Sequence, residues 1–360
     1  MSQQGMELTV EAPADLAAAS IGRAGAGRGA ATVLTARGAA DARRGRWRSV
    51  TNAICVPVAA GAALVVHVAL PDRGPVIRTP VYTGMLVAFL ALGVVAIGVR
   101  WVSPAARGWI AARAPLFAGG LFLLCAWDLI TAKLLLLPAM YFPGPQRVFQ
   151  TLIDDRGQLF DSTWHSLLLL FGGYALGVLS GLVSGITMGW SGHVRYWGMP
   201  VLKIIGPIPA TAWIPMALIL FPRSVSAGVF LIALAVWFPV TMLAASGVSN
   251  VRASYLDVAR TLGAGRGFLI FRVAIPAAMP SVFVGLFMGL GAAFLTLLVA
   301  ESTGVSSGLG WYIDWARNYS DYTKVFAALI IMAAFFSTIM TLLFKVRDHV
   351  LVWQKGTIKW

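Results

Sequence analysis

Eight apolar runs set the terms for this chain. They fall at about 50–70, 81–99, 115–137, 165–189, 199–221, 226–248, 280–300 and 325–344, and each is close to the ~20 residues that cross a bilayer as a helix. In lipid, every backbone N–H and C=O must find a partner inside the segment, which leaves helices as the spanning form for runs of this length. The chain is 58% hydrophobic and 12% charged, with mean hydropathy +0.79. A water-soluble domain could not cover so much apolar surface, so lipid is the solvent for most of it. The expected fold class is an all-α integral membrane protein of about eight transmembrane helices.

The formal charge of +14 raises nucleic acid as a partner, but the basic residues are scattered among apolar spans, as cytoplasmic loops require. An even number of spans puts both termini on one side. A cytoplasmic placement brings Arg100, Arg107, Arg113, Arg195, Lys203, Arg252, Arg260, Arg266, Arg272, Lys345, Arg347, Lys355 and Lys359 inside with the basic tail, and the reverse would invert the positive-inside bias. Residues 1–49, rich in Ala, Gly and Arg, read as a disordered basic cytoplasmic tail. Cys55 and Cys125 lie in apolar runs without nearby ligand-type partners, so neither a disulfide framework nor a metal site is expected. No phosphate-cradling Gly-x-x-x-x-Gly-Lys-Ser/Thr occurs, so any ATP chemistry belongs to another chain.

Between the sixth and seventh runs lies a polar insert. Leu256, Ala259 and Leu262 share one helical face, Asp257, Arg260 and Arg266 supply charge, and Gly263, Gly265 and Gly267 loosen the chain. Pro276 and Pro280 mark an expected new helix start. The order Asp257-Val258-Ala259, Gly263, then Val273-Ala274-Ile275-Pro276 resembles the "EAA" loop of ATP-binding-cassette importer permeases. The string Asp-Val-Ala-Arg-Thr-Leu-Gly-Ala resembles the nitrate/sulfonate/taurine branch. Asp257 stands where that family usually has Glu, and Val258 where it has the first Ala.

The fifth run contains Gly206-Pro207-Ile208-Pro209-Ala210 and Trp213-Ile214-Pro215. Its prolines break the helical ladder and free carbonyls that must face protein or a water-filled cavity. The break serves either a pathway or the fold alone; the Pro-x-Pro-x-x-x-Trp-x-Pro pattern and Trp127-Asp128 again resemble sulfonate/nitrate-type permeases. Gly173, Gly177, Gly181, Gly185 and Gly189 form a ridge for close helix packing. Of the membrane acids, Asp128 is expected to make an ion pair or a hydrogen bond to a neighbouring helix, and Glu301 to hold the loop that follows it. That loop carries Gly308-Leu309-Gly310, similar to a segment at the outer face of the family's permeases.

The resemblance covers about 115–355 and implies a six-helix permease core with a coupling loop at 249–279. Residues 50–114 would add two extra N-terminal transmembrane helices. It assigns coupling to an ATPase to Asp257, Ala259, Arg260, Gly263 and Pro276, and the translocation pathway to Pro207, Pro209, Trp213 and Pro215. Asp128, Glu301, Gly308 and Gly310 are structural or gating candidates. It implies ATPase subunits, a solute-binding protein and a second permease subunit as partners, with no cofactor, no metal and no catalytic residue on this chain. The same resemblance implies the cell's inner (plasma) membrane as the location. The expected cargo is a small organic or inorganic anion such as a sulfonate or nitrate. An ion-gradient-driven secondary transporter is the alternative; it predicts broken helices in two repeated halves, and the chain shows one such span.

Overall fold

The computed structural model describes residues 54–71 and 80–353; the expected tail at 1–49 lies outside them. These residues form helices joined by turns, with no strand among them. Six helical segments are long and apolar enough to span a membrane, one further pair is bent by 85°, and the first, α1 (Ile54–Ala69), is a shorter apolar helix. Each of the eight apolar runs is mainly helical over its described residues, but they are not eight straight spans.

The described residues divide into two compact units, one holding 54–71 and 83–129 and the other 80–82 and 130–353. In the first, α1 packs with α2 (Pro80–Val102) and α3 (Pro104–Asp128). At Gly93 α1 and α2 lie close together: a Cβ there would lie 3.0 Å from Cδ of Pro57. From Leu129 to Lys133 the helix widens into a π-type turn and ends.

The second unit is built on α5 (Arg156–Trp190), α8 (Ser224–Ser249) and α11 (Ile275–Thr303), with α8 packed between the other two. The glycine ridge of α5 makes this possible. A Cβ on Gly177 would stand 2.6 Å from the Ala233 carbonyl oxygen, on Gly185 2.7 Å from that of Thr241, and on Gly189 2.6 Å from Cβ of Val248. Backbone therefore lies against backbone, which is how helices gain contact where lipid supplies no hydrophobic drive. Gly285 and Gly289 do the same for α11 against α8. Ile232, Val236, Val240, Ala293 and Leu297 are buried at the three-helix seam.

The expected fifth span is broken. α6 (Gly192–Ile205) ends before Pro207, a 3-10 turn covers Ala210–Trp213, and α7 (Ile214–Leu220) leaves at the 85° bend. Pro207 and Pro209 have no N–H to donate and push the residues before them out of helical angles, and Pro209 itself is extended (φ −55, ψ 136). The expected helix start holds for Pro276, which stands in the first turn of α11, but not for Pro280. The span runs unbroken from Arg266 to Thr303, from α10 (Arg266–Phe268) through a π-type stretch at Leu269–Ala274 into α11. Ile275 N–H reaches back five residues to the Ile270 carbonyl, so a wider turn, not a break, absorbs the missing donor of Pro276. Pro280 lies inside α11.

Two short helices flank the spans. α4 (Pro145–Asp154) precedes α5, and α12 (Leu309–Asn318) fills the segment before the last span, α13 (Tyr322–Val350).

Candidate coupling segment, broken span and membrane clamps

The polar insert folds as α9 (Ala253–Thr261), which packs on the π-type stretch that opens the next span. Its end is fixed by Gly263. Gly263 N–H donates to the Arg260 carbonyl and Ala264 N–H to the Ala259 carbonyl, the paired bonds of a Schellman stop, whose turning residue must adopt positive φ. Gly263 sits at φ +82 with open space where a Cβ would be, so its glycine is needed for backbone angle and not for room inside the chain. Asp257 accepts from Arg260 on its own helix at 2.9 Å, with both side chains more than half exposed. Leu256 and Ala259 are half-buried, whereas Leu262 is 82% exposed and parts from the face expected for it. With Tyr255 and Val258 it makes an apolar outward face beside the ion pair. Val258, legible in sequence only as a departure from a motif, belongs to that face. Pro276 lies further along the chain, exposed at the start of α11.

At the broken span a cavity of about 420 Å³ opens between α6, the 3-10 turn, α8 and α11, lined by Gly206, Pro209, Thr211, Phe238, Met288 and Thr296 among others. Pro209 lines it, while Pro207, Trp213 and Pro215 do not. Trp213 packs instead in a cluster with Ala217, Ala227, Leu231 and Ala300. Its Nε1–H is buried with no partner among the described residues, a costly state unless water or another polar group reaches it. A Cβ on Gly206 would overlap the Phe238 ring. The bend therefore needs glycine because the α8 ring lies on its backbone, and Phe238 and Thr296 carry no motif that would announce them.

Glu301 is fully enclosed at the end of α11. Its carboxylate accepts from Ser166 Oγ at 2.6 Å and from Gly310 N–H at 2.7 Å, and Ser166 Oγ in turn accepts from Leu309 N–H at 2.9 Å. Gly308 turns at φ +114, and side chains at Gly308 or Gly310 would run into Glu301 itself. The first turn of α12 is thus held between α5 and α11 by one carboxylate and one hydroxyl. Nearby, Asp155 Oδ2 accepts from Tyr312 Oη at 2.7 Å and pairs with Lys324 Nζ at 2.9 Å. Burial alone would raise this carboxyl, but the bonds from Lys324 and Tyr312 hold it below its ordinary value. Burial, and after it the Asp155 carboxylate, pushes the Tyr312 hydroxyl upward.

In the first unit, buried His67 of α1 lies between two other helices. Nδ1 is 3.2 Å from Asp128 Oδ2 on α3, and Nε2 is 3.2 Å from Thr83 Oγ1 on α2. Asp128 thus meets a neighbouring helix. Among the described residues no three His, Cys, Asp or Glu side chains gather in a metal-holding group.

Several membrane helices, one broken beside a cavity, and a short helix presented outside the spans are the attributes of a membrane transport subunit. The family described as "Binding-protein-dependent transport system inner membrane component" matches residues 173–350. The chain is 32% identical over 218 residues to the taurine transport system permease protein TauC of Escherichia coli (strain K12), covering 59% of this chain and 79% of that one. It is 34% identical over 214 residues to the putative aliphatic sulfonates transport permease protein SsuC of Bacillus subtilis (strain 168), covering 59% and 77%. To the nitrate import permease protein NrtB of Leptolyngbya laminosa it is 31% identical over 176 residues, covering 49% and 63%. This chain belongs to the family of inner-membrane permease components of binding-protein-dependent, ATP-binding-cassette importers. It is a multi-pass transport subunit and not an enzyme; ATP is hydrolysed by separate ATPase subunits, and a binding protein is its other partner class.

Proposed function

We propose that two copies of this chain form the pathway of an importer for a small organic or inorganic anion such as a sulfonate or nitrate. Both termini face the cytoplasm, and the six-helix core at 115–355 carries transport. The observation that carries this reading is α9: an apolar face of Tyr255, Val258 and Leu262 beside the Asp257–Arg260 pair, stopped by Gly263 and seated on the start of a spanning helix. A knob so placed moves with the span it sits on when an ATPase cleft closes around it. Ala259 anchors it on its inner side, and Pro276 lies where the motion enters the bilayer. The broken span at Pro207, Pro209, Trp213 and Pro215 supports a pathway beside the cavity lined by Pro209 and Thr211. Glu301, Gly308 and Gly310 hold the outer segment against which a loaded binding protein docks. The anionic cargo rests on the relatives named for taurine, aliphatic sulfonates and nitrate.

Gly263→Val tests the coupling assignment, because a β-branched residue at φ +82 is strained by more than 1 kcal/mol, roughly, wherever it has room. The variant should insert normally yet lose most ATPase co-purification or most substrate-stimulated hydrolysis in proteoliposomes. Asp257→Lys, which sets like charge beside Arg260, should act in the same direction. Parental values of both readouts in Gly263→Val would refute the assignment.

A further inference from the structure

The first three helices leave an open apolar groove of about 510 Å³, whose walls include Val56, Leu92, Val99, Trp109, Arg113 and Phe117. Val56 is near the start of α1, Val99 near the end of α2 and Trp109 near the start of α3, so the groove opens at one end of this helix group. α2 and α3 are joined there by Ser103 alone. Among the described residues that line the groove, Arg113 is the single charged one. It stands with its guanidinium carbon 4.6 Å from the centroid of the Trp109 ring, and no carboxylate among the described residues pairs with it.

We propose that this groove is a binding site for an anionic phospholipid, its acyl chain along Leu92 and Phe117 and its phosphate on Arg113. Three facts converge on that occupant. The groove walls are almost wholly apolar and belong to a membrane-spanning group of helices, so a hydrocarbon chain fills them without cost to any polar group. The groove's cation lies five residues inside its spanning segment, Gly108–Lys133, close to the level at which headgroups sit. A cation there, with no acid partner among the described residues, is matched by a phosphate, and basic positions between transmembrane helices are where acidic headgroups are recognised. The Trp109 face beneath Arg113 holds the guanidinium in place and leaves its N–H edge free for a phosphate, which it can meet with two parallel hydrogen bonds. Trp109 itself is of the type that gathers at the headgroup level. A zwitterionic lipid offers the same phosphate but brings its own cation beside Arg113, so the site prefers a net-negative lipid.

The test uses the full chain in nanodiscs made from equal phosphatidylglycerol and phosphatidylcholine, with retained lipid read by native mass spectrometry. The parent should retain phosphatidylglycerol about fivefold over phosphatidylcholine, the worth of one cation near an anionic surface. Arg113→Gln should remove that preference and Arg113→Lys should keep most of it, while Ala96→Trp, which fills the groove, should lose both lipids. Equal retention of the two lipids by the parent, or a preference that survives Arg113→Gln, would overturn the proposal. So would a Leu92→Cys chain that crosslinks to its own copy, since a second subunit would then occupy the groove.

Discussion

Ser166 is one hydroxyl with two tasks, donating to Glu301 and accepting from the Leu309 N–H. Removing it leaves a buried carboxylate oxygen and a buried N–H each short of a partner, and such orphans cost more than the net worth of the bond they lost. Ser166→Ala is therefore expected to destabilise the purified chain by about 1–3 kcal/mol, read as a lowered unfolding midpoint in detergent, whereas a silent change would mean water replaces the hydroxyl. Asp155 gives a pH signature in the same region. Its carboxyl is held below the ordinary 3.8, so its bonds to Tyr312 and Lys324 add stability that is fully present above that value and is lost as pH falls through the depressed one. Thermal stability should thus drop more steeply on acidification below about pH 4 in the parent than in Asp155→Asn, by the linkage of proton binding to folding; parallel profiles would remove Asp155 from the account. At this scale the sequence discloses half of each contact. Glu301 is legible as an acid at the end of an apolar run, but Ser166 lies 135 residues away in a run with nothing to mark it, because partnership across that separation is decided by packing.

Among the elements, α5 and α8 show how a periodic pattern becomes a packing surface. Gly185 has Cβ of Ala244 and the Thr241 carbonyl oxygen 2.7 Å from where its own Cβ would be, whereas at Gly172 the nearest atom is a Val229 methyl at 3.7 Å. Adding one methyl at the first position must push two helices apart; at the second it fits and trims the backbone freedom of the unfolded chain. Gly185→Ala should accordingly cost about 1–3 kcal/mol, the range for overpacking a filled core, and Gly172→Ala should be neutral or slightly stabilising. Matching effects at the two positions would mean that the ridge is not what seats α8. A four-residue glycine repeat is readable from sequence because every member lies on one stripe, whichever helix it meets. The broken span is readable for a different reason, since proline's lost N–H acts locally. Its 85° bend is not, because the angle depends on the Phe238 ring lying against Gly206, a contact between elements. The π-type stretch at Leu269–Ala274 is hidden likewise: an extra residue in a helical turn leaves no pattern, and it carries Pro280 from an expected helix start into a helix interior.

For the whole molecule, the question is what makes α1 and α2 part of a permease whose family match begins only at residue 173. Lipid gives these helices no hydrophobic reason to stay against α3, so polar contacts and close packing must do it. His67 answers in part, because one imidazole meets Asp128 on α3 and Thr83 on α2 at 3.2 Å each while only 3% exposed. A histidine exposed to lipid would be costly; here it is enclosed by its neighbours. The contribution of the site can be ranked by the bonds that each change removes. Thr83→Val takes away one hydrogen bond and keeps the shape, and is expected to cost about 0.5–1.5 kcal/mol. His67→Leu takes away both and withdraws one buried partner from a carboxylate, and should cost about 1–3 kcal/mol, with bonds to charged groups at the upper end. Asp128→Asn, which keeps an acceptor for the imidazole, should fall between the two. These shifts would be read as unfolding midpoints of the full chain in detergent, beside uptake in proteoliposomes at a temperature where all three variants remain folded. If the helices serve attachment and not transport, uptake there should match the parent while the midpoints separate in the stated order. Uptake that fails in His67→Leu below its midpoint would instead place this histidine in the transport cycle itself.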